Sequence, residues 1–339
     1  MGGGGRVTSI EVAKRAGVSQ SAVSRVFTPG ASVSEKTAEK VKKAAEELGY
    51  RPNVLARSLI TGRSHMIGLL VSYLEKHFYP DILEKLSNAL QVRGYHVLIF
   101  MADRTARNLE KVLDDIIDYQ VDGIIIASAA ISSTLATRCD KAGVPLVLFD
   151  HNHDDERFSV ITSDNVAGAR KVADFLVRAG HQRIGYIAGL EKTSTQRDRE
   201  LGFRSGLNAA GVELYARESG QFDYEEAREA ARRMFAREDR PDAVFAANDS
   251  MAFAVMDVLR LELGLSVPDD VSVIGFDDVG PASWPSFDLT TVRQHTDLLV
   301  SETVETLTAQ IEHRAMSPRR IAIDGPLVVR GSSRRPNDE

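Results

Sequence analysis

Residues 18–27, VSQSAVSRVF, place polar side chains that can read a base edge on one side of a short helix and valines on the other. Arg25 is able to donate two parallel hydrogen bonds to guanine O6 and N7, Gln20 pairs in the same way with adenine or meets the backbone, and Ser21 stands beside them. Thr8, Ser19 and Ser24 are suited to phosphate oxygens, which fix register without reading sequence. Val23 and Val26 are left to press the helix onto its neighbours. A second group of reactive types stands at the ends of apolar runs further along: Tyr73, Phe78 and Tyr79, then Asp103, Ser128, Asp150, Asn248 and Asp277. Carboxylates, an amide and a hydroxyl among aromatic rings suit a polyhydroxyl ligand, whose hydroxyls need donors and acceptors and whose ring faces need apolar walls.

The first group needs a small helical scaffold, and its punctuation is present. Thr8 and Glu11 have the spacing of a capping box, Val12, Ala13 and Ala16 form an apolar stripe, and Gly17 suits the left-handed end of a helix. Ser19 then caps the second helix. A third, SEKTAEKVKKAAEELG, starts at Ser34, packs through Val41, Ala44, Ala45 and Leu48, and stops at Gly49. The pattern is a helix-turn-helix whose second helix is free to enter a major groove; a three-helix protein-interaction module is the alternative. Charge favours the first. Residues 1–63 hold 11 of the 42 Lys/Arg and 5 of the 48 Asp/Glu, so the head carries +6 and the remainder −12, which points the head at a polyanion.

After the head, NVLARSL is long enough for only two turns of helix, marginal alone in water. It would form when packed against its copy in a dimer and a DNA groove, with Asn53 at its start, Leu55 meeting the dimer mate and Leu59 wedged into a minor-groove base step. From His65 onward, strands such as MIGLLVS, HVLIFMA and VDGIIIAS alternate with amphipathic helices, and a second round starts near Asp164 with RIGYIAG, DAVFAAND and VSVIGFDD. That alternation predicts doubly wound parallel sheets in two similar lobes, with a ligand outside the carboxyl ends of the strands.

Several classes are excluded or disfavoured. The single Cys139 leaves no internal disulfide and no cysteine-rich zinc site, and no apolar run approaches the roughly 20 residues of a membrane span, so the chain reads as a cytoplasmic protein without a membrane partner. There is no phosphate-binding loop, dinucleotide fingerprint, nucleophile elbow or HExxH, and the adjacent Asp277 and Asp278 diverge rather than flank a scissile bond. No cofactor and no metal is called for; the DHNHDD cluster at 150–155 lacks ligand spacing and reads as a polar loop.

VTSIEVAKRAGVSQSAVSRVF, VSEKTAEKVKKAAEELGYRPNVLARSLITGRS and IGLLV resemble the DNA-binding head, hinge helix and first core strand of the lactose/galactose repressor (LacI/GalR) family, and the likeness runs from Val7 to about Gly331. The resemblance implies an α/β protein with a helix-turn-helix head (7–49), a hinge helix and linker (50–63) and a two-lobed periplasmic-binding-protein-like effector domain (64–333). Lobe one would hold about 64–163 plus 296–323, and lobe two about 164–295 plus 324–333. It also implies that Arg199, Phe222 and Gln294 line the effector pocket. The expected function is a transcriptional repressor, a homodimer on a pseudo-palindromic operator, controlled by a sugar or sugar derivative. A nucleobase or other metabolite acting as corepressor is the alternative, and an enzyme on this fold the remote one. Ser9 departs from the family, which more often has an apolar residue there; Ile10 is the expected compensation. The polar tail GSSRRPNDE has no heptads, so a dimer rather than a tetramer is expected. Arg25→Ala should cost about 1–3 kcal/mol and relax specificity at one base pair per half-site, read by operator binding to a panel of single-site variants; equal weakening on all sequences would make Arg25 a phosphate contact.

Overall fold

The computed structural model describes residues 7–28, 31–51, 63–72, 77–101, 106–127, 133–313 and 316–336. They form two compact units, 1–65 and 66–339. Asn53, Leu55 and Leu59 lie outside the described residues, as do Tyr73, Asp103 and Ser128.

The first unit is three helices, α1 (Ser9–Ala16), α2 (Gln20–Val26) and α3 (Glu35–Leu48). Their ends follow from local chemistry. Thr8 and Glu11 close a reciprocal capping box, Ser19 and Ser34 accept from the amides three residues on, and Gly17 and Gly49 take φ of 66° and 64° where a side chain would be strained. Val12, Ala13, Val23, Val41, Ala44 and Ala45 make the core, ringed by Val26, Phe27, Leu48 and Tyr50.

The second unit is built on two six-stranded sheets. In the first, the chain runs β1 (Met66–Val71), α4 (Phe78–Val92), β2 (His96–Met101), α5 (Ala106–Asp118), β3 (Gly123–Ala127), α6 (Ser133–Ala142), β4 (Leu146–Phe149) and β5 (Ser159–Ser163). The second follows with α7 (Asn165–Arg178), β6 (Ile184–Ala188), α8 (Ser194–Ala209), β7 (Ala216–Ser219), α9 (Tyr224–Phe235), β8 (Ala243–Ala246), α10 (Asp249–Asp257), β9 (Ser272–Asp277) and β10 (Thr290–Arg293). Helix α11 (Thr296–Glu312) returns to pack on α4 and on β3 to β5 of the first sheet. β11 (Arg320–Ile323) then joins the first sheet and β12 (Leu327–Val328) the second. The orders are β11-β5-β4-β3-β1-β2 and β12-β10-β9-β8-β6-β7, parallel throughout except β10 with β12. The chain therefore passes between sheets after Ser163, between Arg293 and Thr296, and between Ile323 and Leu327.

Strands buried on both faces need near-continuous apolar runs, and β3, β6 and β8 supply GIIIA, IGYIA and AVFA. Helices α7 and α8 approach closely because residue 202 is glycine: a Cβ there would sit 2.1 Å from the Val166 carbonyl oxygen. Beneath them Tyr186, Phe203 and Phe245 pack ring to ring, with centroids 4.9–5.6 Å apart. No helix among the described residues is long and apolar enough to cross a membrane. Phe203 is fully buried, so Phe203→Ala should cost about 3–5 kcal/mol, seen as a lower denaturant midpoint for the transition of the 66–339 unit.

Candidate functional site

In the three-helix unit, Gln20, Ser21, Ser24 and Arg25 stand on the exposed face of α2 while Val23 is buried. Some of these groups are engaged within the unit. The Ser19 hydroxyl accepts from the Ala22 amide at 3.2 Å and the Thr8 hydroxyl donates to Glu11 at 2.9 Å. The Glu11 carboxyl lies below its ordinary pKa because the Thr8 amide, and then its hydroxyl, bond the ionised form. Thr8 and Ser19 thus act first as caps. Gln20 donates from Nε2 to Ser9 Oγ at 3.1 Å, so the polar residue at position 9 docks α2 onto α1 by a hydrogen bond. Ile10, expected to compensate for Ser9, instead stays 61% exposed. Arg25 and Ser24 keep outward-facing side chains, Arg25 reaching back only to the Ser21 carbonyl of its own helix at 3.4 Å.

In the second unit, Arg199 of α8 is 2% exposed and fans across three elements. Nε donates to Asn165 Oδ1 at 2.8 Å, Nη1 to the Ala247 carbonyl and Nη2 to Asp277 Oδ1 at 3.3 Å, with the guanidinium 3.7 Å from the centre of the Phe276 ring. Asp277 Oδ1 also accepts from Gln294 Nε2 at 2.7 Å, and Gln294 Oε1 accepts from Ser163 at 2.5 Å. Ser163, Gln294 and Asp277 stand at or just beyond the carboxyl ends of β5, β10 and β9. The structure therefore brings Arg199, Asp277 and Gln294 into one buried network. Asn165 belongs to it too, and Ser163 anchors it from the first sheet.

Asp150 follows β4 in the first sheet with φ of 60°, a conformation that is uncommon without glycine and that clusters at functional sites. Oδ2 accepts from Tyr79 at 3.1 Å, and its carbonyl accepts from Thr195 at the start of α8 at 2.9 Å. Among the described residues, Oδ1 is buried with no hydrogen-bond partner. Burial pushes the carboxyl up to about 6, against the pull of Arg199 and the Tyr79 hydroxyl. A buried carboxylate oxygen without a partner is costly, and a donor placed beside it would be stabilising.

The remaining candidates divide. Phe222, at φ of 54°, lies over Gly189, where an added Cβ would fall 2.2 Å from its ring. Asn248 spends Oδ1 on capping α10, accepting from the Met251 amide at 3.0 Å. Asp249 is the first residue of α10, and Asp278 pairs with Arg293 and Arg330 at 2.6 and 2.7 Å. Phe78 is buried against Tyr79 rather than standing as an open wall. Asn165, Thr195 and Asp249 were not singled out from the sequence as ligand-site residues. Each sits in the first turn of a helix, where identity alone reads as capping. The DHNHDD loop is organised by Arg157 on Asp155 and by Arg320 on the side chain of Asn152 and the carbonyl of His153.

The folded pKa of Asp150 lies above its ordinary 3.8, so its contribution to stability is complete below pH 4 and is lost as pH rises through about 6. Asp150→Asn should therefore flatten that part of the ligand-free stability profile in denaturant titrations at stepped pH, and equal the parent or exceed it at pH 7.

Comparison with known proteins gives concordant results. Residues 10–53 match the model of the bacterial regulatory proteins, lacI family, and residues 173–333 that of a periplasmic binding protein-like domain. The chain is 34% identical to the HTH-type transcriptional regulator CelR of Thermobifida fusca, over 96% of this chain and 98% of that one. It is 31% identical to the ribose operon repressor of Escherichia coli (strain K12), over 96% and 99%. Among solved structures, it is similar to a CelR–cellobiose complex (33% identity, 97% and 100% covered, TM-score 0.74). It is also similar to a Lac repressor dimer bound to operator and the anti-inducer ONPF (29% identity, 97% and 99% covered, TM-score 0.88).

Proposed function

The chain belongs to the lacI family of bacterial regulatory proteins, and from that premise we propose a repressor whose hold on operator DNA is set by a small sugar bound between two lobes. The observation that carries the sugar is the pairing of an orphaned carboxylate oxygen on Asp150 with the closed Arg199–Asp277–Gln294 network. One side lacks a donor, and the other offers hydrogen-bonding groups already held in place. A polyol supplies hydroxyl donors to Asp150 and acceptors to Arg199 without bringing net charge into a buried space. Phe222, over Gly189, offers a ring face for the apolar side of a pyranose. A CelR–cellobiose complex and a ribose operon repressor among its relatives support the same ligand class.

On DNA, α2 would lie in the major groove of each half-site with Arg25 and Gln20 toward base edges. A homodimer presents two such helices to a pseudo-palindrome, as the similar Lac repressor dimer bound to operator suggests. Leu55 and Leu59, outside the described residues, would act in the linker, Leu55 against its dimer mate and Leu59 as a wedge in a central minor-groove step. Binding, not turnover, is the chemistry of the cleft, and the protein works where the chromosome is, in the cytoplasm. Sugar then regulates only through a difference in affinity between two lobe arrangements, a coupling of about 1–3 kcal/mol.

A thermal-shift panel of sugars, sugar phosphates, polyols, nucleobases and organic acids tests this reading. A cognate sugar at 100 times its dissociation constant should stabilise the protein by about 2.7 kcal/mol. Stabilisation by nucleobases alone would contradict the sugar reading and support corepression.

A further inference from the structure

Asp249 is a carboxyl with no exposure at all, yet it makes no part of the network around Arg199. Oδ1 accepts from the Thr291 hydroxyl at 2.6 Å and Oδ2 from the Val279 amide at 2.9 Å. The backbone makes room for it: at Gly275, paired with Thr291 in the sheet, a Cβ would sit 2.2 Å from Oδ1. Two residues beyond Gly275, Asp277 and Asp278 have φ of 128° and 57° in succession. Non-glycine residues in such conformations persist only where their surroundings over-determine them. The fastenings are visible. Arg199 and Gln294 hold Asp277, Arg293 and Arg330 hold Asp278, and Asp249 holds the next amide, Val279.

We propose that Asp249 is a positioning residue of the ligand site: by bonding the Val279 amide and the Thr291 hydroxyl at once, it fastens the strained Asp277–Asp278 turn to β10 and so sets where Asp277 and Gln294 stand. The proposal rests on reading the cleft as the sugar site. Burial, and next the charge of Asp277, push the Asp249 carboxyl up. The charged groups that face it are Asp277 and Asp278 at the end of β9, with Arg199 behind the first and Arg293 and Arg330 behind the second. The neighbouring β8 carries no titratable residue, and the arginines of α9 pair elsewhere, Arg228 and Arg232 with Glu262 and Arg233 with Glu218.

The test needs no ligand for its first arm. Hydrogen exchange is followed in peptides covering 277–281 and 290–294 of the full chain. Asp249→Ala should speed exchange by about tenfold in each segment, since each loses one buried bond to Asp249. Asp249→Asn, which can accept from Val279 and donate to Thr291, should restore protection. If Asp249→Ala does not fold, Thr291→Val, which removes one of the two fastenings, takes its place with the same direction. The second arm titrates cellobiose: affinity should fall in Asp249→Ala and return in Asp249→Asn. Unchanged exchange in Asp249→Ala or Thr291→Val, or an Asp249→Asn variant as loose as the alanine one, would overturn the proposal. A parent protein that ignores cellobiose while the exchange arm behaves as described would count against the choice of sugar and leave the positioning role established.

Discussion

A buried guanidinium, that of Arg199, is the constraint from which the rest of the proposed ligand site follows. A charge taken out of water is tolerated only when its donors are matched and its charge is met. Here the matching groups come from α7, from the end of β8 and from the end of β9, while the flat face rests on Phe276. Once those partners are fixed, Asp277 has one oxygen committed to Arg199 and Gln294, and Gln294 is committed in turn to Ser163 across the chain's first passage between sheets. The geometry of the cleft is thus inherited from the need to satisfy one arginine, and the strained turn at Asp277 and Asp278 is held by that bonding.

The two sides of the cleft are unequal. On the second sheet, hydrogen bonds run among protein groups; on the first, Asp150 keeps an oxygen unmet among the described residues and a pKa raised by burial. Direct bonds already run between the sides, from Thr195 to the Asp150 carbonyl and from the Asn152 amide to Ser194. A ligand that satisfies Asp150 therefore adds to an existing seam, and its influence is the difference it makes to that seam. Regulation of DNA affinity requires no more than this difference in free energy between lobe arrangements.

Features written in short-range chemistry were legible before the structure was known. Thr8 with Glu11, Gly17, Ser19, Ser34 and Gly49 each act within four residues, so helix ends in the head could be read directly, and the apolar runs of β3, β6 and β8 announced sheets buried on both faces. The rule that ligands gather at strand ends pointed to Asp150, Asn248 and Asp277 as candidates. It did not reach Asn165, Thr195 and Asp249, because a polar residue in the first turn of a helix reads as a cap until the partner element is seen. It also could not tell that Asn248 would be the cap and Asp249 the fastening. Ser9 was legible as a departure but not as an acceptor for Gln20, since that contact depends on how α1 and α2 cross.

The account stands on Arg199 joining ligand to cleft while leaving DNA recognition to the head. Its most direct test is fluorescence anisotropy of a labelled operator titrated with the sugar that stabilises the parent protein, in the parent and in Arg199→Lys. Lysine keeps the charge and loses the planar fork that reaches three acceptors. Arg199→Lys should bind operator as the parent does and fail to release it at sugar concentrations that release the parent. Release of both proteins at the same sugar concentration would contradict the claim that this network is where the ligand is read.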